Sequence, residues 1–431
     1  LYVSFDAGDS WIPLQAGLPH APVSWETVQK QFHDLVVATY GRGVYLLEDI
    51  TPLEKLASGG AAAPAQVFAS RPTYRFFHDG HAFIDFWLQT VPEVKATSKP
   101  KDDEAEQKKE EEKERTGGIK VAILDGDGKV VRNLKLLDEK KPGLNPKYEE
   151  ARRGAHHWAH DPDAHVHPGV NRVYWDLRYA PPKLIELRTT PSSNPHVWDD
   201  LRFLGKETRP ITHWGVEEAQ VGPMVAPGTY TARVTAAGKT YTQSFTVLAA
   251  PNSPEAPAQT TARVKMLLHV RDDISSVSAM VNQIEWLRKQ LQTTEAMLKA
   301  DKKPGHGKML QAIKGLDTKI QGVEDQLLSP ALANSDEKSY LAPYGLYLDL
   351  IWLNGELGTG AGDVYGDPGY PATDASIQVL QLLDGKLGAA KAKYRVLMQQ
   401  DLPQFDQMLI HGNIFPLVAR IDLPTPKRGL P

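Results

Sequence analysis

Five histidines, His156, His157, His160, His165 and His167, stand with Asp161 and Asp163 inside one short stretch. Imidazole nitrogens and carboxylate oxygens at that density could hold zinc or another divalent cation. No stretch matches H-E-x-x-H, since His157 stands where the Glu would be between His156 and His160, and Pro162 and Pro168 make the segment a loop. A polar loop before a strand is the plainer reading, with metal binding as the candidate chemistry. Tyr40 and Arg42 flank Gly41 at a strand end. A guanidinium fork there could bind a ligand carboxylate or a sugar; the plainer reading is a turn residue and a surface charge. Trp198 and Trp214 lie in a long insert and could stack on sugar faces, whereas Trp175, within a strand pattern, reads as core.

Other chemistries are excluded or disfavoured. Without cysteine there is no disulfide, zinc–thiolate site, iron–sulfur cluster or cysteine nucleophile. No G-x-S-x-G elbow occurs, and Gly355, Gly358, Gly360 and Gly362 follow a helix rather than a strand, so they form no phosphate loop. Asp125 and Asp127 alternate with glycines but lack the further acidic ligands of a calcium loop, which leaves a hairpin turn. No catalytic constellation and no cofactor are expected in this chain.

The elements that must position these residues change character along the sequence. The 34 glycines and 32 prolines favour turn-rich β structure over an all-helical protein. Residues 1–50 read as short strands, including 34–39 and 43–47, broken by Gly, Asp, Pro and His. Residues 51–66, rich in Ala, Gly and Pro, read as a linker with no core to bury. Residues 67–250 read as a β-sandwich, with strands at 82–88, 119–124, 129–134, 170–177, 228–235 and 239–247. It carries two inserts, a charged run at 100–117 and a Pro/Trp-rich loop at 181–225 expected to pack on the sandwich.

From 257 to 420 the apolar period becomes helical. Val270, Ile274, Val277, Val281, Ile284, Leu287 and Leu291 step by three or four, as do Met309, Ile313, Leu316, Ile320, Val323 and Leu327. A short turn around Pro304 joins them into an antiparallel pair. A third helix is expected over 340–357. Thr373 or Asp374 caps a fourth, with Ile377, Leu380, Leu383, Leu387, Tyr394 and Leu397 facing inward. The predicted class is thus multidomain β plus α: terminal strands, a sandwich, then a helical bundle.

Ser4, Asp6, Gly8 and Trp11 fit S-x-D-x-G-x-x-W. The Asp6 carboxylate can accept N–H groups of its own turn, Gly8 supplies a positive φ, and the Trp11 ring lies beside the turn. The motif resembles the Asp-box, the bacterial neuraminidase repeat of sialidases and of the sortilin ectodomain. Asp34 to Asp49 looks like the last blade of a β-propeller in bacterial glycosyl hydrolase or sortilin-like proteins. In that family the propeller is followed by an immunoglobulin-like domain and a helical region. Gly169 to Arg178, with Ala226 to Tyr230, resembles the sandwich domain also seen in flagellar-hook-capping proteins.

The resemblance implies the last blade or blades of a propeller at 1–50, an immunoglobulin-like sandwich and a helical bundle. In Asp-box families the box is a structural turn at the propeller rim. None of the sialidase arginine triad, tyrosine nucleophile or acidic partners maps onto this chain. The expected function is a non-catalytic accessory region of an exported, periplasmic or extracellular, sialidase-like protein. The alternative is a sortilin-like scaffold that binds peptide or protein without hydrolysis. The first residue is Leu1, already inside a strand pattern, so the expected partner is an N-terminal propeller portion of the same protein, besides a glycan or peptide ligand. A net charge of −4 without a basic stripe suggests no nucleic-acid partner, and no apolar run approaches the ~20 residues of a membrane span.

Overall fold

The computed structural model describes residues 1–14, 17–59, 63–76, 81–92, 118–134, 136, 166–185, 187–188, 208–209, 222–251, 253–301, 306–329, 345–358 and 369–418. The chain divides into two compact units. One comprises Leu1–Arg178 with Ala226–Pro251; the other comprises Tyr179–Val225 with Asn252–Pro431.

The first unit opens with a small hairpin, β1 (Tyr2–Val3) and β2 (Ile12–Pro13). A three-stranded antiparallel meander follows: β3 (Val23–Gln29), β4 (Asp34–Thr39) and β5 (Gly43–Leu47). Within this meander only Val37 is fully buried, and Trp25, Val44 and Leu46 are exposed. Two further sheets form the rest of the unit. One runs in the order β10–β9–β14–β15–β7, from Val130–Leu134, Lys120–Leu124, Gly228–Ala236, Lys239–Leu248 and Thr73–Tyr74. The other runs β11–β8–β6, from Gly169–Trp175, Ala82–Leu88 and Ala65–Val67. Strand β14 buries Tyr230, Ala232, Val234 and Ala236 on one face, the period-2 pattern of a half-buried strand. The Trp175 ring of β11 meets Tyr230 of β14 at 5.6 Å and Phe245 of β15 at 5.9 Å, so the two sheets share an aromatic core. Trp175 is fully buried, and its indole N–H donates to the Arg178 carbonyl at 2.9 Å.

Turn chemistry sets the registers. The β9–β10 turn is held by Asp125, whose Oδ1 accepts the N–H groups of Asp127 and Lys129. One carboxylate oxygen thus takes two N–H groups of its own turn, as an Asp at the start of a tight hairpin can. Ala237 and Gly238, both at positive φ, close the two-residue turn between β14 and β15.

The segment 51–66 departs from the linker expectation. Thr51–Ala57 is a helix, α1, with Pro52 at its first turn and buried, and Ala65 already belongs to β6. Proline suits a helical first turn, where its missing N–H has no intrahelical acceptor.

The second unit is helical: α2 (Pro257–Ala300), α3 (Gly307–Leu327), α4 (Gly345–Glu356), α5 (Asp374–Val396) and α6 (Leu402–His411). The seven stripe residues of α2 from Val270 to Leu291 are all buried in one core, with Ile313, Leu316, Ile320, Val323 and Leu327 of α3. Thr373, not Asp374, caps α5, its Oγ1 accepting the Ser376 N–H at 3.1 Å. Leu383, Leu387, Tyr394 and Leu397 are buried, but Ile377 in the first turn of α5 is 41% exposed, against the expectation. A single π turn, Leu397–Asp401, joins α5 to α6 immediately before Pro403, which has no N–H for the α-helical bond to Gln399. The described part of 181–225, which includes the short antiparallel pair β12 (Leu187–Arg188) and β13 (Thr208–Arg209), also departs from expectation. Ile185 and Leu187 belong to the helical core, the Lys183 N–H donates to Ser275 Oγ, and Asn282 Nδ2 donates to the Leu184 carbonyl. Apolar residues in an extended strand of chain follow no period, so only the neighbours that cover them tell which core they join.

Candidate functional site

The turn at Ser4–Trp11 is built as its residue types dictate. Asp6 Oδ1 accepts the Ser10 N–H at 2.8 Å and the Ser4 hydroxyl at 2.9 Å, and Oδ2 accepts the Ser10 hydroxyl. Ser4 Oγ in turn accepts the Gly8 N–H at 2.7 Å. Gly8 has φ +102°, and the Trp11 indole N–H donates to its carbonyl at 3.1 Å. Hydrogen bonds from the Ser10 hydroxyl, the Ser10 N–H and the Ser4 hydroxyl hold the Asp6 carboxyl down to about 2. Both Asp6 carboxylate oxygens and the Ser4, Ser10 and Trp11 side chains bond within the turn itself, so their first role is to hold the turn.

Tyr40 and Arg42 stand together at the tip of the β4–β5 hairpin, where Gly41 and Gly43 take positive φ. Both side chains are exposed, Tyr40 to 80%. They are available to a ligand, but no buried polar group converges on them. His167 is an exposed residue of the turn before β11. Its N–H donates to Asn171 Oδ1 at 3.1 Å, and its carbonyl accepts from Asn171 Nδ2 at 2.8 Å. His156, His157, His160, His165, Trp198 and Trp214 lie outside the described residues, as does the charged insert at 100–117.

The most heavily invested polar structure in the first unit is a junction that the sequence did not announce. It ties the ends of strands β4 and β5 to strands β8 and β11. Arg172 on β11 pairs with Asp85 on β8 through both ends of its fork, Nε to Oδ1 at 2.7 Å and Nη2 to Oδ2 at 2.8 Å. The same guanidinium donates to the Glu48 carbonyl at 2.5 Å and the Asp49 carbonyl at 2.9 Å, just beyond β5. Arg71 donates to Asp34 Oδ1 at 2.7 Å and to the Phe32 carbonyl at 3.1 Å. Phe83 underlies both cations, 4.5 Å from Arg172 and 5.4 Å from Arg71. Burial pushes the Asp85 carboxyl up, and the paired Arg172 works against that shift. Comparison with protein-family models, with curated proteins and with solved structures finds no match for this chain.

The helical unit holds two further features. A groove of about 410 Å³ lies between α2, at Trp286, Lys289 and Met297, and the segment Asn413–Leu417. Its polar groups bind the chain itself: Trp286 Nε1 and Gln290 Nε2 both donate to the Val418 carbonyl. Among the described residues, His269, Asp273 and Asp384 form the one group with the donor types and spacing to hold a metal ion, their ligand atoms within 4.8 Å of one another. His269 and Asp273 are one turn apart on α2, and Asp384 comes from α5. Burial pushes the Asp273 carboxyl up; His269 and Lys391 oppose this, and Asp384 adds to it. The spacing H-x-x-x-D was legible, but such a pair is common on exposed helical faces. Its third member, 115 residues from His269, becomes a neighbour only in the folded unit. Among the described residues no helix is long and apolar enough to cross a membrane.

Proposed function

We propose that this chain is a non-catalytic accessory region of an exported, sialidase-like Asp-box propeller protein, in which an immunoglobulin-like sandwich fixes the orientation of the last propeller blade. The observation that carries the reading is the double-arginine junction. Arg172 and Arg71 spend six hydrogen bonds on strand ends, carboxylates and carbonyls at 32–34, 48–49 and 85, an arrangement suited to a rigid mount and not to turnover. The exposed Trp25, Val44 and Leu46 of the meander support it further, as an apolar surface that neighbouring blades from an N-terminal portion of the protein would cover. A glycan or peptide would then be bound by the completed propeller, with Tyr40 and Arg42 as this chain's contribution at a strand-end loop.

The test is a hydrolysis assay of the purified chain with fluorogenic sialosides and a panel of fluorogenic glycosides. No turnover above the heat-inactivated control is expected. Turnover that survives repurification would overturn the non-catalytic reading. Peptide binding without hydrolysis, lost on Arg42→Ala, would replace it with the sortilin-like scaffold.

A further inference from the structure

We propose that His269, Asp273 and Asp384 bind a divalent first-row transition-metal ion, which clamps α2 to α5 and leaves open coordination positions facing solvent. The geometry comes first. His269 Nε2 lies 2.9 Å from Asp384 Oδ1 and 3.1 Å from Asp273 Oδ2. Adjacent ligands of an octahedral ion with bonds of ~2.1 Å are separated by roughly 3.0 Å, which these two separations match, and all three ligand atoms lie within 4.8 Å of one another. Calcium, with bonds of about 2.3–2.6 Å and a demand for oxygen, fits poorly; an imidazole nitrogen favours zinc, manganese or their neighbours.

A second observation points to a ligand. Asp273 is only 9% exposed, yet its Oδ2, aimed at the other two groups, accepts no hydrogen bond. The proton that Nε2 carries in one tautomer is directed to Asp384 Oδ1. The remaining neighbour, Lys391 Nζ, stands 3.7 Å from the other oxygen, Oδ1. A buried carboxylate oxygen without a donor is costly, and a cation at the shared corner satisfies it. His269 and Asp384 are half exposed and partly exposed, which gives the ion a path from solvent.

The full chain, stripped with EDTA and dialysed, would be titrated with Zn²⁺ and with Mn²⁺ by calorimetry and by thermal melting. One site and a raised melting temperature are expected for the wild type. Asp384→Asn and His269→Gln should each weaken the affinity at least tenfold and abolish the metal-dependent rise. Asp273→Asn removes a carboxylate that now pairs only with His269 and Lys391, at 3.1 and 3.7 Å, without changing its shape, so it should show no rise with metal. Replacing His156, His157, His160, His165 and His167 together by Ala should leave the site intact. Metal binding that survives His269→Gln and Asp384→Asn, or that vanishes in the five-histidine variant, overturns the proposal. So does the absence of any metal-dependent shift in the wild type.

Discussion

Arg172 of β11 holds Asp85 of β8 with both ends of its guanidinium while the same group caps the carbonyls of Glu48 and Asp49. Asp85 directly faces Arg172 in the register of the β8–β11 pair, so the sheet itself preorganises the fork. Through these bonds the β8–β11 pair is joined directly to the chain just beyond β5.

Breaking this pair leaves a buried charge and two carbonyls without donors. Arg172→Ala should cost about 3–5 kcal/mol, the scale for removing one partner of a buried ion pair. Arg172→Lys should recover only part of it, because an ammonium cannot make the two parallel bonds. Urea unfolding followed by tryptophan fluorescence measures the loss. A wild-type midpoint in Arg172→Ala would refute the mounting role.

The Asp-box turn should open with acid. Asp6 has its carboxyl held near 2, below its ordinary value of 3.8, so its contribution is complete above about pH 4 and is lost as the pH falls through 2. The effect is local to an exposed turn. Trp11 leans on Gly8, with its ring 3.9 Å from the position of a glycine Cβ. Its emission should therefore shift between pH 4 and pH 2 and should do so already at pH 7 in Asp6→Ala. An unchanged spectrum in that variant would mean that backbone pairing of β1 with β2 alone holds the turn.

Legibility in the sequence followed the physics of each element. Strands β4, β5 and β8 were readable to the residue because alternating or apolar runs stop at Gly, Asp or His. The α2 and α3 stripes were readable because each helix faces one core along most of its length. Helix α1 was not, since a short helix among Ala and Gly carries little pattern and is held by the burial of Pro52. Ile377 misled because the first turn of α5 stays exposed to solvent. The turn at Ser4–Trp11 was legible because all its bonding partners lie within eight residues. The Arg172–Asp85 junction and the His269–Asp273–Asp384 group were not, because their members come from strands and helices brought together only by folding.

Within the helical unit Arg263 and Glu255 form a pair with essentially no solvent access. Arg263 Nε and Nη2 reach the two carboxylate oxygens at 2.9 and 2.7 Å, and Nη1 donates to the Leu357 carbonyl at 3.0 Å. Either single change, Arg263→Met or Glu255→Leu, should cost about 3–5 kcal/mol by stranding the other charge. The double change should be markedly less destabilising than the sum, because no buried charge is left. Additive losses in a double-mutant cycle would show that packing, not charge, sets the cost.

The helical unit should lose stability as the pH rises from mildly acid to mildly alkaline. Glu324 of α3 is buried, and its carboxyl is pushed up to about 8 by desolvation and by the neighbouring Glu285 carboxylate, against the pull of Arg288. Arg288 Nη1 lies 2.7 Å from Glu324 Oε2, and its Nε is shared with Asp317 at 2.9 Å, so one guanidinium serves three acids. A group raised in the folded state keeps its proton there while the unfolded chain releases it above its ordinary value of 4.5. The unfolded state then binds fewer protons, and stability declines between about pH 4.5 and pH 8, levelling off above. Glu324→Gln mimics the protonated side chain and should flatten this slope. Melting of wild type and variant at pH 5 and pH 8 isolates what Glu324 and its neighbour Glu285 contribute together, since titrating groups away from this pair cancel in the comparison. Equal slopes would show that Arg288 keeps Glu324 ionised throughout.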